Sequence, residues 1–281
     1  MHPDRCGVCP NLSGYHQSRD SGTFRVDIIH QPTASRDPDV VKARHSELRH
    51  EMGPFTIITN LPGRAIPNHW DHGYGPLARF DESILEPGGF IPMHEHRNDE
   101  IISYVSDGMI HHADLAGGSF TISPSQIMVM NAGKSFWHEE QTKPDGETAR
   151  VMQIFVRPHT VDLAPSIQLR NLEAPVPNTW RFLVGPQGSA APAIIRNDVC
   201  LYNIHLEAGI RAAVPSWCDW DTLVHVYRGS AQVNGTALAQ AEGALLVNET
   251  PVIVTAGSDT TLLAFLINRR ATLTHAGTIG G

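Results

Sequence analysis

The sequence predicts an all-β chain made of two tandem copies of one barrel or sandwich unit. Three observations predict it. From about residue 80 onward, short apolar runs alternate with Gly, Pro, Asn and Asp turns at intervals of roughly ten residues, the spacing of short strands joined by tight turns. No long stretch carries a helical period of apolar residues. The chain also repeats itself: Leu85-Glu86-Pro87-Gly88 recurs as Leu206-Glu207-Ala208-Gly209, an offset of 121. The same offset carries Glu100 onto Asp221, Ile102 onto Leu223, Val105 onto Val226 and Gly108 onto Gly229. A shared order of strand, Gly turn and strand is the mark of a duplicated unit.

Taken in order, 1–36 is polar without a clear period. Asp37-Pro38 has the form of an N-cap followed by Pro at the first helical position, and a short helix is expected over 38–51 with a thin apolar face (Val40, Val41, Ala43, Leu48). Pro, Gly and Asn punctuate 53–76. Strands are expected at 101–105, 118–122, 127–130 and 151–156 in the first copy. In the second they are expected at 181–184, 199–205, 223–227, 231–233, 244–247, 252–255 and 262–267. The Pro-bearing stretch 158–179 reads as a connector. The expected organisation is an extension over 1–55, a first barrel over 56–160, and a linker with a second barrel over 161–281.

Composition narrows the function classes. Of 281 residues, 41% are apolar and 18% charged, enough to bury a core and too few charges for wholesale disorder. A net charge of −8 with no Lys/Arg block argues against direct nucleic-acid contact. No apolar run approaches the ~18 residues that span a membrane. The first ten residues lack the apolar segment of a secretory signal, and four cysteines are too few for a disulfide scaffold, so a reducing cytoplasm is the expected compartment. Cys6-x-x-Cys9 has redox or zinc-ligand spacing but no second pair nearby.

The histidines are in excess, 16 in all, and they cluster. His94 and His96 stand two apart on a presumptive strand, so both imidazoles project to one face and Glu95 to the other. His138 and Glu140 repeat that spacing, with Glu139 facing away. If the two strands are neighbours, three imidazoles and a carboxylate converge, a donor set that suits Fe(II), with Mn, Ni, Cu or Zn the alternatives. The offset of 121 places Pro215 and Trp217 where the first copy has His94 and His96, and Ala256 falls near the place of His138, so a metal-free second barrel is expected. Glu100 is a competing carboxylate or a salt-bridge partner. His112 is expected to orient a ligand. Asn68-His69-Trp70-Asp71-His72 forms either a lid or a hydrogen-bonded loop.

The stretch Gly89-Phe90-Ile91-Pro92-Met93-His94-Glu95-His96-Arg97 resembles the first cupin motif in its pirin form. It continues through Glu100 to Val105, Gly108 and His112-x-Asp114. Met130-Asn131-Ala132-Gly133 through His138-Glu139-Glu140 resembles the second. Asn98-Asp99 departs from the Gly-Phe that usually precedes the cupin glutamate, adding polarity at the mouth. The resemblance implies two cupin (double-stranded β-helix) barrels with one non-haem iron in the first, and assigns the ligand role to His94, His96, His138 and Glu140. It further implies a quercetin 2,3-dioxygenase type of activity, with O₂ and a small aromatic enol as substrates. Glu140 would then be the proton acceptor, and Phe90, Met93, Phe136 and Trp137 an apolar lining. The alternative is an iron-dependent binding or redox-sensing role exerted through a protein partner.

Overall fold

A computed structural model describes the backbone of 41–43 and residues 49–281. The strands of the first half are β1 (Val41–Ala43), β2 (Arg49–Met52), β3 (Phe55–Asn60), β4 (Leu77–Leu85), β5 (Phe90–His96) and β6 (Glu100–Asp107). Then come β7 (Ile110–Asp114), β8 (Ser119–Ile122), β9 (Gln126–Asn131), β10 (Phe136–Gln141), β11 (Ala149–Val156) and β12 (Ser166–Asn171). The second half holds β13 (Arg181–Pro186), β14 (Ala193–Ile195), β15 (Val199–Leu206), β16 (Arg211–Ala213) and β17 (Asp221–Arg228). It ends with β18 (Ser230–Val233), β19 (Thr236–Ala239), β20 (Gly243–Leu246), β21 (Ile253–Ala256) and β22 (Thr260–Ile267). The one helical element among the described residues is a single 3₁₀ turn, Pro62–Ala65, and no helix there is long and apolar enough to cross a membrane.

The sheets report the duplication element by element. Each barrel pairs a seven-stranded sheet with a four-stranded one. The large sheets run β12-β9-β6-β11-β4-β3-β2 and β1-β20-β17-β22-β15-β13-β14, and the small ones β5-β10-β7-β8 and β16-β21-β18-β19. Edge for edge the orders correspond. β1 pairs with β20, although it precedes the first barrel in the chain. β12 pairs with β9, although it lies in the expected connector. Residues equivalent by the offset of 121 touch at the junction: the hydroxyls of Ser106 and Tyr227 share a hydrogen bond at 2.6 Å, and Asp107 pairs with Arg228. Equivalent positions meet only near a symmetry axis, so the two barrels are related by an approximate two-fold axis passing there.

The large sheets pack face to face over one apolar core drawn from both barrels. It contains Phe80, Ile102, Ile127 and Ile154 with Leu183, Leu223, Leu263 and Phe265, and Phe80 stacks on Phe265 at 5.1 Å. The opposite faces of the same strands look into the barrels, where Ile101 and Phe155 pack with Phe136, and Val105 and Val151 with Met128. All of the predicted strands are present; the central ones, buried on both faces, read as near-continuous apolar runs.

The expected helix over 38–51 is corrected: Val41–Ala43 and Arg49–Met52 are strands, and the rest of that span lies outside the described residues, as do Asp37-Pro38 and Cys6/Cys9. β2 is exposed along its whole length and gains its conformation from pairing with β3, so no alternation marks it. Gly88 and Gly209, equivalent in the repeat, hold φ of +76° and +78°. A Cβ on Gly88 would touch only Pro144 Cα at 3.8 Å, and one on Gly209 nothing within 4 Å. Gly88→Ala and Gly209→Ala should therefore each cost about 1 kcal/mol from backbone conformation alone. Urea midpoints check this, and a clearly unequal pair would deny the two turns their equivalence.

Candidate metal centre

The two His-bearing strands are neighbours. β5 and β10 pair antiparallel, with His138 directly opposite His94. A register shift between His138 and Glu140 brings Glu140 opposite Ile91. On the other side of β10, His138 faces Asp114 and Glu140 faces His112 of β7. Burial along β10 alternates, with Phe136, His138 and Glu140 inside and Trp137 outside, the parity a strand imposes. Ring centroids lie 4.9 Å apart for His94 and His96, 4.4 Å for His94 and His138, and 5.2 Å for His96 and His138. One donor atom from each of these three lies within 4.8 Å of the others, and the same holds for His112, His138 and Glu140. His138 belongs to both groups.

Three polar atoms in this cluster are buried without a hydrogen-bond partner: His96 Nδ1, His138 Nε2 and Glu140 Oε1. The other atoms around them are tethered. Gln153 Nε2, from the opposing sheet, donates to Glu140 Oε2 at 3.0 Å. His94 Nδ1 donates to the Pro92 carbonyl at 2.8 Å, which leaves its Nε2 as an acceptor. His112 Nε2 meets Asp114 Oδ2 at 3.3 Å, its Nδ1 meets His138 Nδ1 at 3.4 Å, and its ring stacks on Phe120. The imidazole and carboxyl pKa values follow burial. Desolvation, with the neighbouring His94, His96 and His112, pushes His138 down to about 2. Burial also lowers His94, against the Pro92 carbonyl, and His112, against Asp114. Burial lifts Glu140 to about 7, against the Gln153 hydrogen bond. Neutral imidazoles are the form that binds a cation, so the donor set fits a divalent transition metal chemically as well as spatially.

Other predicted residues fall elsewhere. Glu95 faces outward, bonded to Arg97 at 2.7 Å and to the Ser135 hydroxyl at 2.6 Å, and these bonds, with Arg97 first, hold its carboxyl near 2. Glu100 is turned toward the second barrel: Arg196 Nε donates to it at 2.8 Å, the Arg196 backbone N–H at 3.0 Å, and Asn131 joins them. It enters neither donor group because it shares the face of Ile102 on β6, which looks into the core between the barrels and away from the interior of the first. Phe136 is in the core beside Ile101 and Phe155, whereas Phe90 and Trp137 are exposed on the outer face and Met93 is half-buried. The four therefore do not share one lining, since adjacent strand residues take opposite faces.

The loop 68–72 is a hydrogen-bonded loop: Asp71 accepts two bonds from Arg157 and one from the Gly73 N–H, and His69 Nε2 bonds the Gly73 carbonyl. Asn98 and Asp99 are not at an open mouth; both are buried. Gln153, missed at the level of sequence, carries one legible signal, a lone amide inside the apolar run 151–156. The second barrel is filled by apolar side chains, among them Leu206, Val226, Val254 and Ala256. Among the described residues both donor groups lie in the first barrel.

The chain is similar to known proteins in sequence and in fold. The Pirin family model matches residues 39–156, and a model described as "Quercetinase C-terminal cupin domain" matches 182–266. The chain is 22% identical over 204 residues to a quercetin 2,3-dioxygenase of Escherichia coli, covering 72% of this chain and 87% of that protein. It is 29% identical over 203 residues to a pirin-like protein of Caulobacter vibrioides, covering 70% and 84%. Among solved structures it is similar to YhhW from Escherichia coli, with a TM-score of 0.72 at 20% identity over 81% of this chain and 97% of that one. YhhW in complex with nickel(II) gives a TM-score of 0.70 at 19% identity, covering 81% and 98%. At these identities the structures establish the fold, two cupin barrels.

Proposed function

The chain belongs to the pirin family of two-barrel cupins, and from that premise we propose that it is a metal-dependent dioxygenase of flavonol-like aromatic enols, the quercetin 2,3-dioxygenase type of reaction. One divalent transition metal per chain would be held by His94, His96, His138 and Glu140, with Fe(II) first and Mn, Ni, Cu or Zn as the other candidates. One observation carries the reading: His138 Nε2 and Glu140 Oε1 are buried in one cluster with no protein partner. Burying such atoms costs free energy unless something else completes them. The similarity to a quercetin 2,3-dioxygenase of Escherichia coli and to YhhW, which takes nickel(II), supports the same reading.

When bound, such a cation supplies Lewis acidity toward an enol oxygen and a redox partner for O₂. The chain's own residues do the rest. Glu140 accepts the enol proton, while the hydrogen bond from Gln153 to Oε2 keeps the carboxylate in place. Asp114 and His112 buttress His138 from behind. His96, His138 and Glu140 are buried, which shields these donors from bulk water. Phe136 is committed to packing.

The test uses metal-free full-length protein reconstituted anaerobically with Fe(II), mixed with quercetin and then exposed to O₂. The flavonol absorption band should bleach at a rate proportional to loaded protein. Absence of bleaching with each of the five metals would transfer the site to metal-dependent binding or sensing through a protein partner.

A further inference from the structure

We propose that Asp99 is a positioning residue for His96, and that the C-terminal segment 277–280 is the clasp that sets Asp99, so that the end of the chain governs metal retention in the first barrel. The proposal rests on the reading of His96 as a ligand. Asp99 stands three residues beyond His96 and is completely buried. Its Oδ1 accepts the backbone N–H of Gly280 at 2.9 Å and its Oδ2 that of Ile279 at 3.0 Å. Oδ2 also lies 3.7 Å from His96 Nδ1, a buried nitrogen with no hydrogen-bond partner. That separation is too long for a hydrogen bond, and a small turn of the ring closes it. A carboxylate that takes the proton of one imidazole nitrogen fixes the tautomer and leaves the other nitrogen basic toward a cation.

The clasp is built, not incidental. Thr278 N–H donates to the Arg97 carbonyl at 3.0 Å, and the Thr278 hydroxyl accepts the Arg97 N–H at 2.7 Å, immediately after His96. Arg157 Nε donates to the Gly280 carbonyl at 2.6 Å. The approach requires glycine: a Cβ on Gly277 would overlap Asp99 Oδ1, and one on Gly280 would come within 2.9 Å of it.

The test is titration of the full-length apoprotein with Co(II) alone, read by its visible ligand-field bands and by competition with a chelator. Wild type is compared with Asp99→Asn, Gly277→Ala and His94→Ala. Asp99→Asn keeps the shape and an acceptor for the tail but loses the charge beside His96. It should weaken Co(II) binding 10–100-fold and shift the bands, and Gly277→Ala should weaken it roughly tenfold by displacing the same carboxylate. Wild-type affinity and bands in both variants, whatever their melting temperatures, would make Asp99 a structural anchor and overturn the proposal. Should Asp99→Asn not fold, Gly277→Ala decides by the same two readouts. If wild type itself takes no Co(II), or His94→Ala takes it as well as wild type does, the ligand assignment falls, and the clasp proposal falls with it.

Discussion

His138→Ala should leave the protein unable to retain a metal, with stoichiometry falling from about one per chain toward zero and the stabilisation by added metal lost entirely. His138 is the member shared by the group with His94 and His96 and the group with His112 and Glu140, so its removal breaks both groups of close donors. His94→Ala leaves the second set intact and should weaken binding without abolishing it. A ligand present at a thousand times its dissociation constant stabilises the folded state by about 4 kcal/mol; wild type should gain on that order in a melt with metal, and the variant nothing. The metal-free variant should stay folded, because two effects oppose. Truncation opens a cavity, but it also removes Nε2, a buried donor or acceptor without a partner that costs about 1–3 kcal/mol. Elemental analysis and paired melts decide it, and retention of about one metal per chain by His138→Ala would refute the assignment of the centre.

The largest loss of stability is expected at the Asp71–Arg157 pair. Arg157 is completely buried. Its Nη1 donates to Asp71 Oδ2 at 2.6 Å and to the Gly75 carbonyl at 3.0 Å, its Nη2 to Asp71 Oδ1 at 2.7 Å, and its Nε to the Gly280 carbonyl. The guanidinium thus ties the 68–75 loop and the C-terminal tail to the end of β11. Asp71→Ala strands that cation in the interior, which costs about 3–5 kcal/mol. Arg157→Met should cost less, because the remaining carboxylate is at the surface side of the pair and can hydrate. Burial by itself would raise the Asp71 carboxyl, but the bonds from Arg157 and Gly73 and the Arg157 charge outweigh it and hold the pKa below 3.8. A depressed carboxylate contributes stability above its unfolded-state pKa and loses it as pH falls through the folded value. The urea-midpoint gap between wild type and Asp71→Ala should therefore be full at pH 7 and close below about pH 4; a gap unchanged between pH 7 and pH 3 would show that the charge of Asp71 is not what stabilises Arg157.

The residues that were legible share one physical property. β6, β11, β17 and β22 are buried on both faces over most of their length, so apolar residues dominate them, with only single polar residues such as Ser103 and Gln153 between, and the strands announce themselves. β2 and β12 are edge strands, largely exposed, and owe their conformation to the neighbour they pair with. β1 is placed by the edge of the other barrel, which no local pattern encodes. The site divides in the same way. The i, i+2 spacing put His94 with His96 and His138 with Glu140 on single faces, because a strand's period is two. Nothing local showed that the bulge after His138 brings Glu140 opposite Ile91, or that His112 lies against His138 from the far side of β10. The pocket lining failed for a related reason: Phe136 and Trp137 are adjacent, and adjacent side chains on a strand cannot face one cavity.

By itself, then, the amino-acid order determined that the chain is a duplicated all-β protein with donor pairs in only its first copy, because strand periodicity and repetition are local properties written along the backbone. Tertiary structure alone decided which strands became neighbours, how each barrel gained an edge strand from beyond its expected span, and how residues 277–280 reached Asp99. Those outcomes depend on contacts between segments far apart in the chain, 181 positions for Gly280 on Asp99 and 204 for Val41 opposite Leu245, and such contacts form only where closing the chain buries enough surface and satisfies enough backbone groups to offset the entropy of closure.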